Sequence, residues 1–307
     1  MFGSDIVLLK IHNAPIVSII IVNYNAKQFS SDCVASNERH VTIPFEIILV
    51  DNDSQDGSAV YVRKNLPQVI LIESSTNLGF AKGNNLGAKH ARGDYILLLN
   101  NDTVLETDLL PAVEIIENNF GVGVVGAKMM GKNGEYRLSA GHFPEPFRLI
   151  SFASLYNVSG PLAHGNFPYI RDGFISVDWV EGSFQFMLKS LWQRLGGMDE
   201  GYFMYVEDVD FCRSAKELGH TTVYCPKVIY THFGGYGHAR LGMLVSGFRR
   251  YHAKYSKGFK RYFANAMLDV GLAARLLAAA PGAVSGNEDK NLKVQACANA
   301  LFGKPLC

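Results

Sequence analysis

Two acidic side chains stand directly after apolar runs that predict buried strands. The run at residues 95–99 leads through two asparagines to Asp102, and the run at residues 45–50 leads to Asp51. In an open α/β sheet, ligands bind beyond the carboxyl ends of the strands. There, one carboxylate can accept hydrogen bonds from a nucleoside, and another can bind Mg²⁺ or Mn²⁺ together with phosphate oxygens. The alternative for Asp102 is a cap of the following helix.

Three carboxylates occur within four residues, at Glu207, Asp208 and Asp210. They repel one another, and the positive end of a predicted helix relieves part of that repulsion. One interpretation is a general base, because a neighbouring carboxylate raises the pKa of the one that must accept a proton. The other interpretation is a charged helix start with capping residues.

His232 follows a predicted strand and precedes a glycine pair. Histidine is a common metal ligand, but a structural role for a lone histidine stays open. Trp179 fits a place in the core and also fits the wall of an acceptor pocket. Asp178, Glu181 and His142 are weaker candidates for the same pocket.

Strand and helix patterns alternate through the first half of the chain, which predicts βαβ units and a parallel sheet. Three strands end at Asn23, Asp51 and Asp102, and we expect these residues to meet at one edge. Residues 132–172 lack a clear period and are expected to form a long loop region. The predicted strands are 16–22, 45–50, 69–72, 95–99, 122–126, 177–184, 222–224 and 228–230, and the predicted helices include 26–39, 82–92, 105–118, 189–195 and one ending near residue 219.

Composition describes an ordinary globular protein of 307 residues, with 48% hydrophobic and 19% charged residues. This length fits one large domain or one domain with an appendage. The formal net charge of +1 gives no argument for a nucleic-acid partner, and none is expected.

Five cysteines without a C-x-x-C pair suggest reduced thiols and a cytoplasmic location. No secretory signal is apparent at the start of the sequence. The longest apolar segment, residues 264–280, is interrupted by Asp269 and Arg275, so we expect no membrane-spanning helix.

The chain after residue 241 is helical in pattern and rich in basic and aromatic residues, and residues 282–293 are polar enough to predict a flexible tail. The basic aromatic helices have two interpretations. One is a solvated face packed on the domain, and the other is an interfacial helix that contacts anionic lipid at the inner face of the cell membrane.

Several well-known motifs do not occur. There is no G-x-x-x-x-G-K-[ST] segment, no G-x-G-x-x-G after the first strand and no G-x-S-x-G. A P-loop, a dinucleotide-binding fold and a nucleophile elbow are therefore unsupported.

An ordered set of segments resembles family 2 glycosyltransferases, and most of all the bacterial rhamnosyltransferase branch that builds cell-surface polysaccharide. The resemblance covers about residues 15–235. Its segments are VSIIIVNYN at 17–25, VDNDSQDGS at 50–58, NLGFAKGNN at 77–85, LLNND at 98–102, GGMDE at 196–200 and the segment around EDVD at 203–218.

The resemblance implies an α/β GT-A fold, with a mostly parallel central sheet flanked by helices and a C-terminal helical extension. It places a catalytic domain at 1–240, with a nucleotide-binding half at about 15–120 and an acceptor half at 121–240, followed by an extension at 241–307. It also implies a dTDP-, UDP- or GDP-linked sugar donor, Mg²⁺ or Mn²⁺, a glycan or lipid-linked glycan acceptor, and an inverting displacement.

Site roles follow from the resemblance residue by residue. Asp208 is the expected base, and Asp102 and His232 are the expected metal ligands. Asn100 stands where the family has the first acid of D-x-D, and an amide gives a cation less charge. The expected donor-binding residues are Asn23, Asn25, Asp51, Asp53, Lys82, Asn85, Asn100 and Asn101, and the expected acceptor-side residues are Trp179, Glu181, Gly182 and Glu207.

Two other functions fit parts of the pattern. A nucleotidyltransferase also joins a parallel sheet to a metal-bound nucleotide, but it tends to carry a basic glycine-rich loop after the first strand, unlike Asn23-Tyr24-Asn25. A catalytically silent carbohydrate-binding protein is the other alternative, and the presence of both Asp102 and Asp208 argues against it.

Overall fold

The structure is a computed structural model that describes residues 16–151, 161–165, 173–234, 240–284 and 287–302. The strands are β1 (Val17–Asn23), β2 (Phe45–Asn52), β3 (Ile70–Ser74), β4 (Tyr95–Asn100), β5 (Thr103–Leu105), β6 (Val122–Gly131), β7 (Tyr136–Arg137), β8 (Ala140–Gly141), β9 (Ile175–Val177), β10 (Trp179–Val180), β11 (Phe184–Leu188) and β12 (Thr221–His232). The helices are α1 (Lys27–His40), α2 (Ser58–Asn65), α3 (Gly79–Ala88), α4 (Leu110–Asn118), α5 (Pro161–His164), α6 (Lys189–Leu195), α7 (Glu207–Glu217), α8 (Leu241–Tyr255), α9 (Phe259–Val284) and α10 (Glu288–Phe302), and a 3₁₀ turn covers Pro146–Ile150.

One large sheet runs in the order β3-β2-β1-β4-β11-β6-β12-β5. The pairs from β3 to β4 are all parallel, as is the pair of β6 and β12. Strand β11 is antiparallel to both of its neighbours, β4 and β6. The prediction of a mostly parallel α/β sheet with flanking helices is confirmed, and so is the helical segment at the C-terminus.

Burial on both faces explains why the central strands are continuous apolar runs. Ile19, Ile20 and Ile21 of β1 are each 0% exposed, because helices cover the two faces of the sheet. Alternate residues of each strand enter two separate hydrophobic clusters, one on either side. Asn23, Asp51 and Asn52 are buried polar residues at the carboxyl ends of β1 and β2, and this makes that edge the candidate place for chemistry.

Several predicted boundaries differ from the structure. The helix predicted at 105–118 begins at Leu110, because residues 103–105 form β5 against β12. The strand predicted at 177–184 is divided into parts of β9, β10 and β11, with Glu181 and Gly182 in the gap. The two strands predicted between 222 and 230 are one strand with an irregularity at 225–229, where Pro226 cannot donate to the ladder.

The predicted flexible tail at 282–293 is wrong. Helix α9 continues to Val284, and α10 begins at Glu288 and packs against it. Cys297 of α10 is buried in this contact, while most other side chains of the helix are at least partly exposed, which explains the polar sequence. The expected boundary near residue 240 falls between β12 and α8 and stays a prediction. Residues 152–160 and 166–172 of the predicted loop, and Gly235 at the end of the resemblance, lie outside the described residues.

Helix α9 is longer than the apolar run seen in the sequence. Within the part of the chain that the structure describes, it is the one helix whose length and composition would allow it to cross a membrane, and 22% of its apolar window is buried. This match rests on length and composition alone, so the expectation that no helix spans a membrane stays a prediction. The two charges that interrupt it are bound locally, since Asp269 accepts from Arg249 and Arg275 donates to the Gly271 carbonyl. A core helix of a soluble protein can pass the same test, so we assign no span.

Glu46 of β2 connects this strand to β1 and to the loop before β4. Its buried carboxylate accepts from Ser18 Oγ at 2.6 Å and from the Arg92 backbone N–H at 2.7 Å. The Arg92 guanidinium lies 2.7 Å from the second oxygen. Burial works to raise the pKa of Glu46, but these hydrogen bonds outweigh it, and the pKa is lowered.

We expect Glu46→Gln to lower the free energy of unfolding by about 1–3 kcal/mol at pH 7, because buried donors lose a charged acceptor. The folded-state pKa lies below the unfolded one, so this stabilisation is complete above the unfolded pKa and is lost as the pH falls through the folded pKa. Urea unfolding at pH 7 and near pH 4 measures both effects. Glu114→Gln, at an exposed position on α4, is the control. An equal loss at both pH values would contradict the argument.

Candidate active site

The ends of β1, β2 and β4 meet at one edge of the sheet. Asn23 lies opposite Asp51, and Val22 lies opposite Asn100. The Asn23 amide donates to Asp51 Oδ1 at 3.1 Å, and the Asn101 amide donates to Asn23 Oδ1 at 2.8 Å. The structure therefore brings these predicted donor-binding residues into one hydrogen-bonded group.

Asn25 and Asp53 shape the turn beside this group. Both have left-handed backbones, with φ of 49° and 67°, a region that Asn and Asp tolerate. Asn25 Oδ1 accepts from the Gln55 N–H at 2.7 Å, and Asp53 Oδ1 accepts from Gln55 Nε2 at 3.2 Å. Since both side chains bind neighbouring protein groups, a nucleotide contact by either stays a prediction.

Asp102 and His232 form a pair just past β4. His232 Nε2 lies 3.1 Å from Asp102 Oδ1, and the Asn100 amide nitrogen lies 3.4 Å from the same Nε2. The antiparallel pairing of β5 with the end of β12 sets this geometry, because His232 lies opposite Thr103. The Phe233 N–H donates to the Asp102 carbonyl at 2.9 Å and fixes the loop.

The donor chemistry of this pair suits a divalent cation. A carboxylate and an imidazole are good ligands for Mn²⁺, and diphosphate oxygens and water can complete its coordination. Across the described ranges, no three His, Cys, Asp or Glu side chains gather into a group that could hold a metal without such a ligand. Gly234 leaves room beside the pair, since a Cβ there would stand 2.3 Å from Asp102 Oδ2.

Asp208 is held by two backbone N–H groups at the start of α7. Gly182 donates to its Oδ2 at 2.9 Å, and Val209 donates to its Oδ1 at 2.8 Å. Burial raises the pKa of Asp208, and these two N–H groups oppose the shift. A carboxylate with a raised pKa and a fixed orientation is suited to accept a proton.

Glu207 stands beside Asp208 in a more buried place. It is 4% exposed, and its Oε2 has no hydrogen-bond partner within the described structure. Burial, followed by the charge of Asp208, raises the pKa of Glu207 well above its usual range. The two carboxyl groups therefore differ in pKa, and Asp208, which accepts two backbone hydrogen bonds, ionises more readily than Glu207.

Gly182 and Ser183 connect the Asp102–His232 pair to Asp208. The Ser183 carbonyl accepts from the Asn100 N–H at 3.2 Å, and the Gly182 N–H binds Asp208. Asp102 follows Asn100 by two residues, so the Asp102–His232 pair and Asp208 lie on the same edge of the sheet. Residues 181–183 form this connection. They lie in the gap between β10 and β11, where the sequence predicted a continuous strand.

The turn before α7 is strained. Tyr205 and Val206 have φ of 71° and 73°, which is a genuine outlier for branched valine. Each such residue costs on the order of 1–3 kcal/mol and persists where its surroundings hold it. The strain lies next to Glu207 and Asp208, and it sets the direction in which α7 begins.

Asn85 and Lys82 are the two expected donor-binding residues that lie on α3. The Asn85 amide donates to the Met198 carbonyl at 2.9 Å and accepts from the Met198 N–H at 2.9 Å. It therefore fastens α3 to the loop before α7. Lys82 lies on the exposed side of α3. A donor contact by either residue stays a prediction.

Trp179 is a buried residue of the short strand β10. It is 4% exposed, and its indole N–H donates to the His142 carbonyl at 2.8 Å. Asp178 binds Lys216 at 3.1 Å and lies 3.4 Å from His142 Nδ1, so it belongs to a surface cluster. Glu181 is nearer the site, with its Oε2 3.5 Å from Ser183 Oγ.

Arg137 is a site residue that sequence reasoning missed. Its guanidinium donates to the Gly234 carbonyl at 2.9 Å, close to the Asp102–His232 pair, and is itself paired with Glu135 at 2.7 Å. It lies in the region where the sequence has no clear period, so no pattern singled it out. Its pairing on short strand β7 with Met129 of β6 depends on tertiary structure alone.

The sheet order and the flanking helices define a GT-A-type fold. The chain belongs to glycosyl transferase family 2, whose model matches residues 18–177, more than half of its length. The N-acetylglucosaminyl-diphospho-decaprenol L-rhamnosyltransferase of Mycobacterium tuberculosis is 24% identical over 237 residues, covering 71% of this chain and 76% of the relative. Rhamnosyltransferase WbbL of Escherichia coli is 28% identical over 167 residues, covering 50% and 61%. The resemblance to the rhamnosyltransferase-like branch is confirmed.

A solved structure agrees on the fold. The mannosyltransferase PcManGT of Pyrobaculum calidifontis, solved with GDP-Man and Mn²⁺, superposes with a TM-score of 0.58 at 18% identity. The match covers 95% of this chain and 88% of that one. At this identity the likeness establishes the GT-A architecture.

We expect Asp102→Ala and Gly234→Ala each to weaken Mn²⁺-dependent nucleotide binding about 10- to 100-fold, because one removes a ligand and the other displaces it. Calorimetric titration of nucleoside diphosphates with and without Mn²⁺ measures this. Binding without metal should change little and serves as the internal control. If the two variants titrate like the wild type in the presence of Mn²⁺, the pair is not the metal site.

Proposed function

We propose that this enzyme moves a sugar from a nucleotide-diphosphate donor to a hydroxyl of a glycan or lipid-linked glycan, with inversion at the anomeric carbon. Rhamnose is the proposed sugar, because the relatives named above are rhamnosyltransferases. The proposed product belongs to cell-surface polysaccharide. The observation that carries the proposal is the junction at Gly182 and Ser183, which holds a candidate base beside a candidate metal pair.

The proposed reaction is a single displacement. Asp208 takes the proton from the acceptor hydroxyl as that oxygen attacks the anomeric carbon from the side opposite the diphosphate. The N–H groups of Gly182 and Val209 hold the carboxylate in place through the transfer. A positioned general base typically contributes about 10²–10⁴-fold to the rate.

In this proposal the donor binds on the other side of Gly182 and Ser183 from Asp208. Asp51 and its hydrogen-bonded asparagines face the nucleoside in this proposal, and Asp102 with His232 would hold Mg²⁺ or Mn²⁺. When bound, the cation supplies positive charge that stabilises the leaving diphosphate. The guanidinium of Arg137, which is paired with Glu135, binds the Gly234 carbonyl at the same place.

A thermal-shift panel of dTDP-, UDP- and GDP-sugars with Mn²⁺ identifies the donor, and a transfer assay with that donor follows. Stabilisation by a nucleotide sugar together with transfer to a glycan supports the proposal. Binding without either transfer or donor hydrolysis would favour a silent carbohydrate-binding protein. A separate incubation with a nucleoside triphosphate and a sugar 1-phosphate tests the other alternative, because formation of a nucleotide sugar with release of diphosphate there would favour a nucleotidyltransferase.

We expect Asp208→Asn to reduce transfer at least about 10²-fold, because the amide cannot accept the proton, while donor binding stays within twofold. In the wild type, the raised pKa of Asp208 predicts that kcat/KM increases with pH through a value above the ordinary aspartate pKa and then levels off. A pH–rate profile and calorimetric donor titration measure both effects. Parallel loss of donor binding and transfer would remove the case for a base.

We also propose that the enzyme attaches to the inner face of the cell membrane through α9. The basic residues near this helix are mostly neutralised, since Arg249, Arg250, Lys254 and Lys260 form ion pairs with acids of the protein. Among the described residues, Lys257 and Arg261 carry no such ion pair. They flank Phe259, which is 81% exposed, at the start of the helix.

The rest of α9 presents an apolar surface. Beyond Tyr262, its charged residues are Asp269, whose 46% exposed side chain is paired with Arg249, and Arg275, which donates to the Gly271 carbonyl. Val270 and Leu277 on this face are 50% and 70% exposed. An apolar face with a basic aromatic end is the pattern of a helix that lies in an anionic lipid surface.

We expect the double variant Lys257→Gln/Arg261→Gln to bind anionic vesicles about 30-fold more weakly, because each cation near such a surface contributes about 1 kcal/mol. Phe259→Ala should also weaken binding. Phe120→Ala removes a fully exposed phenylalanine beyond α4 and is the matched control. Cosedimentation with phosphatidylglycerol vesicles gives the affinities, and wild-type protein that stays in the supernatant would refute the attachment.

A further inference from the structure

The strained turn at Tyr205 and Val206 needs an external support, because neither side chain favours a left-handed backbone. Helix α8 supplies it. A Cβ on Gly247 would stand 2.7 Å from the Tyr205 carbonyl oxygen and 2.8 Å from Val206 Cγ2. The helix backbone therefore packs directly on the turn, which explains a glycine in the middle of α8.

Two cations of α8 bind acids on either side of the turn. Arg250 Nη2 donates to Asp199 Oδ1 at 2.6 Å, and Lys254 Nζ donates to Asp210 Oδ2 at 2.7 Å. Lys254 Nζ also lies 3.6 Å from Asp199 Oδ2. Lys254 thus connects the loop before the turn to the helix after it.

Asp210 is an internal anchor of α7. Its side chain is 3% exposed, and both oxygens are bound, since Tyr202 donates to Oδ1 at 3.1 Å and Lys254 to Oδ2. Removing a lone counter-charge from a buried carboxylate is strongly unfavourable. Without Lys254, the first turn of α7 can relieve this cost by moving Asp210 towards water, and Asp208 would move with it.

We propose that Lys254 is a positioning residue for sugar transfer. By binding Asp210 and Asp199, it holds the left-handed turn and keeps the Asp208 carboxylate on the Gly182 N–H. The inference rests on the proposed function, in which Asp208 is the base. The inference gives α8, which comes after His232 in the sequence, a role in the reaction.

Lys254→Met tests this role. We expect kcat to fall about 10- to 100-fold, as displaced catalytic groups commonly cause, while the donor KM and donor affinity stay within twofold. Lys254→Arg keeps the charge and should restore most of kcat. Arg249→Met is the matched control, since Arg249 lies on the same helix and makes a 2.7 Å bond to Asp269, which lies on α9. This control should behave as wild type.

A second readout does not depend on activity. Hydrogen exchange of the Gly182 amide, which donates to Asp208, should become faster in Lys254→Met and return in Lys254→Arg. The Asn100 amide, bonded to the Ser183 carbonyl, is the internal reference and should be unchanged. If the wild-type chain transfers no sugar, the proposed function is refuted. The exchange measurement would still show whether Lys254 holds Asp208 on the Gly182 N–H.

A double variant covers the case in which Lys254→Met does not fold. Lys254→Met/Asp210→Asn removes both charges, leaves no orphaned carboxylate and should fold. Its kcat should remain reduced, because the tether across the turn is gone. Wild-type kcat with unchanged Gly182 exchange in either folded variant would overturn the inference. So would an equal fall of kcat, donor affinity and melting temperature in both Lys254→Met and Lys254→Arg, which would indicate a general structural role.

Discussion

The backbone bonds of Gly182 and Ser183 are the constraint on which the site depends. Strand β11 enters the sheet antiparallel to β4, so the residues before β11 lie beside the residues after β4. The Ser183 carbonyl meets the Asn100 N–H at that point, and the Gly182 N–H reaches Asp208. One antiparallel strand in a mostly parallel sheet thereby brings the later part of the chain to the edge that carries Asp51 and Asp102.

Several carboxylates lie at or near this edge, and the negative charge of each is stabilised by a different kind of partner. Asp51 accepts hydrogen bonds from a neighbouring amide, and Asp102 stands against an imidazole. Asp208 is held by backbone N–H groups, and Asp210 is neutralised by Lys254. Such a concentration of acids repels an anionic diphosphate unless positive charge is present. This is the physical reason that a divalent cation belongs to the function proposed for the enzyme.

Local pattern was enough for much of the fold. The apolar runs of β1, β2 and β4 are buried on both faces and can only be strands of a covered sheet, so their ends could be placed together before any coordinates. Pattern failed where tertiary contact decides the outcome. Residues 282–293 looked like a flexible tail because α10 buries so little of itself, and no pattern indicated that the Asn85 amide binds the backbone of Met198.

The sequence by itself determined the sheet, the acids at its edge and the charged start of α7, because strand and helix periods and strand-end residues are local properties. Only the tertiary structure decided which of these acids are neighbours. It also decided that Arg137 and Lys254, which no motif marks, stand beside them. Pairing across more than a hundred residues depends on strand order and on helix α8 packing against a strained turn. No period in the chain encodes that arrangement.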